Sequence, residues 1–414
     1  GFAQNKACLL IIFYLRCFMQ SCIKKISIYI VLIMSTLSCQ LMDNQAVFKE
    51  LSADKTGIDF VNQLTYNDSL TVLEFEYMFN GAGVALIDIN NDGLQDIYFT
   101  GNMVSGKLYL NKGNMKFEDI TQKAGVATSG WTYGVSVVDI NQDGYKDIYI
   151  CKGGNRKTPA SAMKNLFFIN NKDNTFSEVA TQMNLADDGY DIQAAFLDYD
   201  KDGDLDMYLL RNAFVNYNRN NARPKETQGK AASTDKLYRN DGAQENGVIH
   251  FTDVSEKEGI TIEGFGLGIS VCDLNQDNWP DLYVSNDFLT NDLVYINAHK
   301  NGKHLGFVNQ AHESLRHTTY NGMGNDVADF NNDGLEDIAV VDMLPPDNKR
   351  WKLTMMGNRY DEFEQNIRLG YEPQYVRNTL QLNNGTDLDG NLSFSEIGAL
   401  SGVHATEWSW APLF

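Results

Sequence analysis

Five stretches of this 414-residue chain carry the residue types that chemistry needs: GVALIDINNDGLQDIYF (83–99), VSVVDINQDGYKDIYI (135–150), AAFLDYDKDGDLDMYL (194–209), ISVCDLNQDNWPDLYV (269–284) and NDVADFNNDGLEDIAV (325–340). Each reads D-x-[DN]-x-D-[GN]-x-x-D between two apolar runs. Carboxylates and amides at positions 1, 3, 5 and 9, with Gly at 6, form a hard-oxygen cage. Ca²⁺ takes six to eight oxygens, and a tight turn at position 6 lets alternate side chains converge while position 7 offers its backbone carbonyl. The expected ligands of the first loop are Asp88, Asn90, Asp92, the carbonyl of Leu94, and Asp96. In the second they are Asp139, Asn141, Asp143, the carbonyl of Tyr145, and Asp147. The third gives Asp198, Asp200, Asp202, Asp204 through its carbonyl, and Asp206. The fourth gives Asp273, Asn275, Asp277, Trp279 through its carbonyl, and Asp281; the fifth Asp329, Asn331, Asp333, Leu335 through its carbonyl, and Asp337. The fourth loop has Asn278 in place of Gly, which also tolerates positive φ, and Pro280 before its last ligand. Up to five Ca²⁺ are therefore expected. An EF-hand shares the opening of the motif but needs a bidentate Glu at position 12; here that place is Phe99, Ile150, Leu209, Val284 or Val340. A metal-free acidic turn would leave several carboxylates repelling one another.

The elements that must hold these loops repeat with them. The first aspartates are spaced by 51, 59, 75 and 56 residues. An apolar run before each loop reads as a strand buried on both faces, and the run after it alternates, with Tyr98, Tyr149, Tyr208 and Tyr283 in one register and Ala339 departing. A third run ends in Asn at KLYLN (107–111), NLFFIN (165–170), KLYRN (236–240), LVYIN (293–297) and TLQLN (379–383). A fourth is FEDI (117–120), FSEV (176–179), FTDV (251–254), FVNQ (307–310) or FSEI (394–397). Four short antiparallel strands per unit of about 50 residues describe the blade of a β-propeller, so the expected class is all-β. Phe48–Leu51 resembles a fourth strand without its first three, as in a ring-closing strand, and Trp408–Phe414 reads as the inner strand of a sixth unit. Both ends suggest a fragment of a longer protein. The insertions at Ala213–Thr234, polar, basic and expected to be mobile, and at Pro345–Tyr375, with helical composition over Met355–Leu369, fall on one propeller face.

The motifs resemble the FG-GAP, or VCBS-type, repeats of integrin α-subunit propellers and of bacterial secreted proteins. FNGAGVALIDINNDGLQDIYFTGN (79–102) through LYLNKGNMKFEDI (108–120) is similar to bacterial members carrying a C-terminal ASPIC/UnbV domain, and the resemblance covers residues 46–414. Phe79-Asn80-Gly81-Ala82-Gly83 is the nearest trace of the FG and GAP signature, and no ASPIC/UnbV segment is present. The resemblance implies a seven-bladed ring.

The domain plan is an upstream extension and signal over 1–38, a lead over 39–78, and the repeats over 79–414. Lys24 and Lys25 precede an apolar run, Ile26 to Leu37, of signal-peptide length and too short to span a bilayer comfortably. Thr36-Leu37-Ser38-Cys39 resembles a lipobox, which implies lipidation at Cys39 and a cell-surface or outer-membrane lipoprotein; an ordinary cleaved signal or an uncleaved anchor are the alternatives. The formal charge of −20 argues against nucleic acid or an anionic membrane as partner. Sixteen carboxylates at loop positions 1, 3, 5 and 9 account for much of it. Cys151 and Cys272 imply no disulfide framework, and Cys272 reads as a small core residue. His299, His304, His312 and His317 lack the spacing of a zinc site. Trp351, Tyr360, Phe363, Tyr371 and Tyr375 either line a carbohydrate platform or pack the insertion onto its scaffold. No G-x-S-x-G, HExxH or P-loop is present. Two function classes follow. One is a non-catalytic surface module binding a protein or glycan; the other is a polysaccharide-acting secreted enzyme, its site in the insertions or in a C-terminal part outside this chain.

Overall fold

Apolar alternation on either side of each acidic loop yields five antiparallel meanders. The computed structural model describes residues 48–65, 70–73, 75–213, 223–245, 247–354, 360–387 and 391–414. The leader and Cys39 lie outside them. The first sheet is β1 (Val84–Ile87), β2 (Asp96–Phe99), β3 (Lys107–Asn111) and β4 (Phe117–Asp119). The second is β5 (Trp131–Val138), β6 (Asp147–Gly153), β7 (Leu166–Asn170) and β8 (Phe176–Glu178). The third is β9 (Asp191–Leu197), β10 (Asp206–Arg211), β11 (Lys236–Ala243) and β12 (Ile249–Asp253). The fourth is β13 (Gly266–Cys272), β14 (Asp281–Asn286), β15 (Leu293–Lys300) and β16 (Lys303–Asn309). Between the fourth and fifth lies β17 (Thr318–Thr319), which pairs in parallel with β20 (Gln374–Tyr375). The fifth sheet is β18 (Gly324–Ala328), β19 (Asp337–Val341), β21 (Thr379–Thr386) and β22 (Leu392–Glu396). Each sheet runs in chain order.

One register recurs in all five. The residue before the first Asp pairs with the last: Ile87 with Asp96, Val138 with Asp147, Leu197 with Asp206, Cys272 with Asp281 and Ala328 with Asp337. Every acidic loop is thus closed by the same two strands at the same step.

Period-two alternation on the second strand sorts side chains between neighbouring sheets. Ile148 and Ile150 pack toward the first sheet, with Tyr98 and Leu108. Tyr149 packs the other way, with Met207, Leu209 and Phe251 of the third. Tyr208 meets Leu282, Val284 and Tyr295, and Tyr283 meets Ile338, Val340 and Phe394. Burying each such side chain contributes about 1.5–3 kcal/mol. First strands lie against first strands, β1 on β5, β5 on β9, β9 on β13 and β13 on β18. The approach is close enough that a Cβ on Gly83 would stand 2.8 Å from the Tyr133 carbonyl oxygen. That is the physical use of the glycine in the signature trace.

The first strand of the first sheet departs from the expectation of burial on both faces. Val84 and Leu86 are 60% and 62% exposed, because among the described residues no sheet packs on that side. Phe48–Leu51 forms no strand within this chain, and Phe48 is 90% exposed. An extended segment without a ladder partner gains nothing over coil. The chain divides into two compact units, Gly1–Thr56 and Gly57–Phe414. The boundary leaves much of the expected lead with the repeats, where Phe75, Tyr77 and Met78 join a fifth core with Trp131, Tyr133, Phe265, Phe288, Leu289 and Tyr371.

Trp408–Phe414 forms no strand but runs beside β18, with Phe414 N–H donating to Asp326 Oδ2 at 2.9 Å and its ring stacked on Phe330. The second insertion holds helices at Asn348–Thr354 and Tyr360–Arg368; residues 355–359 of the expected helix lie outside the described set. Residues 214–222 of the first insertion lie outside the described set. Arg223 pairs with buried Glu263, and the Glu226 carboxylate accepts the N–H groups of Gln228, Lys230 and Ala231. No helix among the described residues is long and apolar enough to cross a membrane.

Candidate metal centre

Each acidic loop is built by its own side chains. Asp88 accepts the N–H of Asp92 (3.1 Å) and of Gly93 (2.8 Å), and Asp92 accepts that of Leu94 (2.8 Å). The same pattern organises the loops headed by Asp139, Asp198, Asp273 and Asp329. Position 6 takes positive φ throughout, and Asn278 substitutes for Gly at φ 65, as its short polar side chain allows. These turns draw positions 1, 3 and 5 to one side.

Position 9 is different in kind. Asp96, Asp147, Asp206, Asp281 and Asp337 are fully buried. One oxygen of Asp147 accepts the Ile140 N–H (3.1 Å) and the other the Asn170 N–H (2.9 Å). Asp96, Asp206 and Asp281 repeat this with Ile89 and Asn111, Tyr199 and Asn240, and Leu274 and Asn297. In the fifth loop Asn383 N–H holds one oxygen of Asp337 at 2.8 Å, and the backbone of Phe330, the position-2 residue, also bonds this carboxylate. Burial, reinforced by the other loop carboxylates, pushes Asp147 up to about 6, Asp281 to about 7 and Asp206 to about 8. Asp96 and Asp337 are raised for the same reasons. Carboxylates this crowded and this dry are stabilised in their ionised form by a cation.

The third loop concentrates the feature. Ligand oxygens of Asp198, Asp200 and Asp206 lie within 4.8 Å of one another. Asp200 Oδ1 and Asp204 Oδ1 are buried without a partner, and burial with the charges of Asp202 and Asp200 pushes Asp204 up to about 6. The other four loops carry Asn at position 3 and so hold fewer carboxylates. The donor set is oxygen throughout, and buried oxygens without partners stand in the third loop, so the residues fit a hard divalent cation. Leu94, Tyr145, Trp279 and Leu335 sit at position 7, where the N–H is held by the position-5 carboxylate.

Two recurring groups escaped the sequence reading. The Asn that ends the third strand supplies the backbone N–H to position 9, and in three units its side chain reaches the preceding sheet: Asn170 to the Ile89 carbonyl, Asn297 to Tyr199 and Asn383 to Leu274. The recurrence of Asn was visible; its partners, about 80–110 residues away, were not. The second is an Asn or Asp just before the third strand. Asn165, Asp235, Asp292 and Asn378 accept the N–H of Lys152, Arg211, Asn286 and Asp342. In the middle three sheets the same side chain also meets the hydroxyl of Tyr149, Tyr208 or Tyr283. Insertions of different length before that position hid the repeat.

The histidines do not converge. His299 meets Asp277 and stacks on Trp279, His304 lies between Glu258 and Asn297, His312 meets Glu372 and His317 faces Glu396. Cys151 lies within β6, not after it, and Cys272 within β13; both are free and buried, which pushes their thiols well above the usual range. Of the insertion aromatics, Tyr371 is core, Phe363 stacks on Tyr375, and Trp351, Tyr360 and Tyr375 are exposed.

The FG-GAP-like repeat family model matches residues 88–150 and 273–340, about a third of the chain. Each matched stretch opens on a first aspartate, spans two loops and closes on a second strand. No curated protein matches the chain. Among solved structures it is similar to the V. cholerae biofilm matrix protein Bap1, at 15% identity and a TM-score of 0.33. The alignment covers 64% of this chain and 35% of that one, so the chain spans about a third of the protein it matches.

Proposed function

We propose that this chain is a calcium-binding, non-catalytic binding or adhesion module of β-propeller architecture, its five sheets serving as blades and its partner an extracellular protein or glycan. The observation that carries it is the loop set: five acidic turns of one geometry, each closed on a buried aspartate, with partnerless buried oxygens in the third. The FG-GAP-like repeats favour the same reading. Calcium holds the turn between first and second strands, and the blade faces present the partner surface. The basic, apolar leader supports export, with Cys39 as a lipid anchor at the cell surface. Purified protein should bind a panel of extracellular polysaccharides and matrix proteins in Ca²⁺ and release them in EDTA. Turnover of any glycan in that panel would overturn the non-catalytic reading.

One observation favours the alternative, a secreted enzyme with its site among the insertions. The loop Asp287–Asp292 is buried throughout although mostly polar, and Phe288 and Leu289 within it hold positive φ, a cost that bulky residues bear mostly at functional sites. Tyr371 shares a core with Phe288 and Leu289 and donates to Glu263, and Asp287 of the loop accepts a hydrogen bond from Tyr77. Loss of glycan turnover in Asp287→Asn, with unchanged unfolding, would establish that reading.

A further inference from the structure

We propose that cations bind these loops as two coupled pairs, first with second and fourth with fifth, and that the third loop is coupled more weakly on both sides. This rests on the calcium reading above and concerns how the sites communicate. Two kinds of link join neighbouring loops. The first lies at the rim, where the position-4 side chain of one loop donates to the position-6 carbonyl of the next. Asn91 Nδ2 reaches Gly144 O at 2.9 Å, Gln142 Nε2 reaches Gly203 O at 3.0 Å, and Gln276 Nε2 reaches Gly334 O. In the third loop position 4 is Lys201, whose ammonium lies instead over the Trp279 ring, 4.8 Å from its centroid.

The second link is buried and runs from ligand to ligand. Asp96 accepts the Ile89 N–H (3.0 Å), the Ile89 carbonyl accepts Asn170 Nδ2 (2.8 Å), and the Asn170 N–H donates to Asp147 (2.9 Å). The relay recurs from Asp281 through Leu274 and Asn383 to Asp337, and from Asp206 through Tyr199 and Asn297 to Asp281. It is missing between the second and third loops: Asn240 Nδ2 donates to the Leu205 carbonyl of its own loop, as the equivalent asparagines also do, but among the described residues makes no hydrogen bond to the second loop. Loops one and two, and four and five, therefore hold both links. Two and three have only the rim link, and three and four have the relay with the Lys201–Trp279 contact in place of the rim hydrogen bond.

A cation that fixes position 4 of one loop sets the turn of the next. One that fixes position 9 holds the residue whose carbonyl orders the next loop's asparagine. The ordering cost met by the first ion is thus partly shared with the second, which is positive coupling without a change of fold, and coupling is reciprocal. Measured couplings of this kind run from about fivefold to about 150-fold.

The fourth loop contains its own reporter, because Trp279 occupies position 7. Terbium, a hard trivalent stand-in for Ca²⁺, should luminesce on Trp279 excitation when it fills that loop, and Trp279→Phe should remove the signal. With the full chain, Asp329→Asn in the fifth loop should weaken terbium binding at the fourth about tenfold, and Asp198→Asn in the third should weaken it less than about threefold. Gln276→Ala, an exposed rim change that leaves every ligand in place, should shrink the effect of Asp329→Asn in a double-mutant cycle. Circular dichroism identifies any variant that fails to fold, and Gln276→Ala keeps the test available if Asp329→Asn does. Equal effects from the third and fifth loops, or none from either, would overturn the pairing while leaving metal binding intact. No terbium or calcium binding in the wild-type chain would instead reject the calcium reading itself.

Discussion

Asp235 offers a test of the account that needs no metal. Its carboxylate is fully buried, accepting the Arg211 N–H at 2.7 Å and the Tyr208 hydroxyl at 2.6 Å. Burial outweighs those bonds and the nearby Arg211 charge, and holds the carboxyl at about 7 against an ordinary 3.8. A folded-state value raised above the unfolded one contributes stability that is complete below about pH 4 and lost as pH rises through about 7. At about 1.4 kcal/mol per pH unit, the loss reaches about 4 kcal/mol at most. Asn is the neutral isostere, and the protein already uses it in this place. In the second sheet Asn165 Oδ1 accepts the Lys152 N–H at 2.7 Å, and its Nδ2 donates to Tyr149 Oη at 2.9 Å. Asp235→Asn should therefore raise stability by only about 1 kcal/mol at pH 4.5 and by about 4 kcal/mol at pH 8. Urea unfolding in EDTA across that range measures both. Equal destabilisation at both pH values would refute the reasoning, because it would mean that the two donors keep the buried carboxylate ionised and needed.

Three further outcomes are expected. Asn170→Ala removes a buried side chain that donates to the Ile89 and Lys146 carbonyls and accepts the Lys172 N–H; leaving those groups unpaired should cost about 2–4 kcal/mol by urea unfolding. Gly83→Ala places a Cβ 2.8 Å from the Tyr133 carbonyl oxygen, which is backbone and cannot rotate away, so about 1–3 kcal/mol of overpacking is expected in the same assay. Asp206→Asn in the third loop should erase that site's share of calcium stabilisation, about 2.7 kcal/mol at a hundredfold excess over the dissociation constant, and thermal unfolding with and without Ca²⁺ reads the difference.

The loops and the strands around them were legible because both are local. Asp88 to Asp96 sets its own turn through neighbours two to five residues away, and the alternation at Ile148-Tyr149-Ile150 needs only the pleat. Asn278 could be read as a left-handed residue for the same reason. What stayed hidden depends on distant partners. Asn170, Asn297 and Asn383 bind carbonyls of another sheet, and Asp235 and Asp292 look like surface acids until their sheets bury them. Phe48–Leu51 and Trp408–Phe414 carry strand-like patterns, yet a strand needs a ladder partner that no pattern supplies. Tyr371 joined the core while Trp351 and Tyr360 stayed outside, a division that composition alone could not make.

Titrating the purified chain with Ca²⁺ by isothermal calorimetry, alongside scanning calorimetry in EDTA and in Ca²⁺, tests the central claim most directly. Five buried position-9 carboxylates in five loops of one geometry imply saturable binding that approaches one ion per loop and a transition that moves to higher temperature in Ca²⁺. No heat of binding, with identical unfolding in EDTA and Ca²⁺, would contradict it.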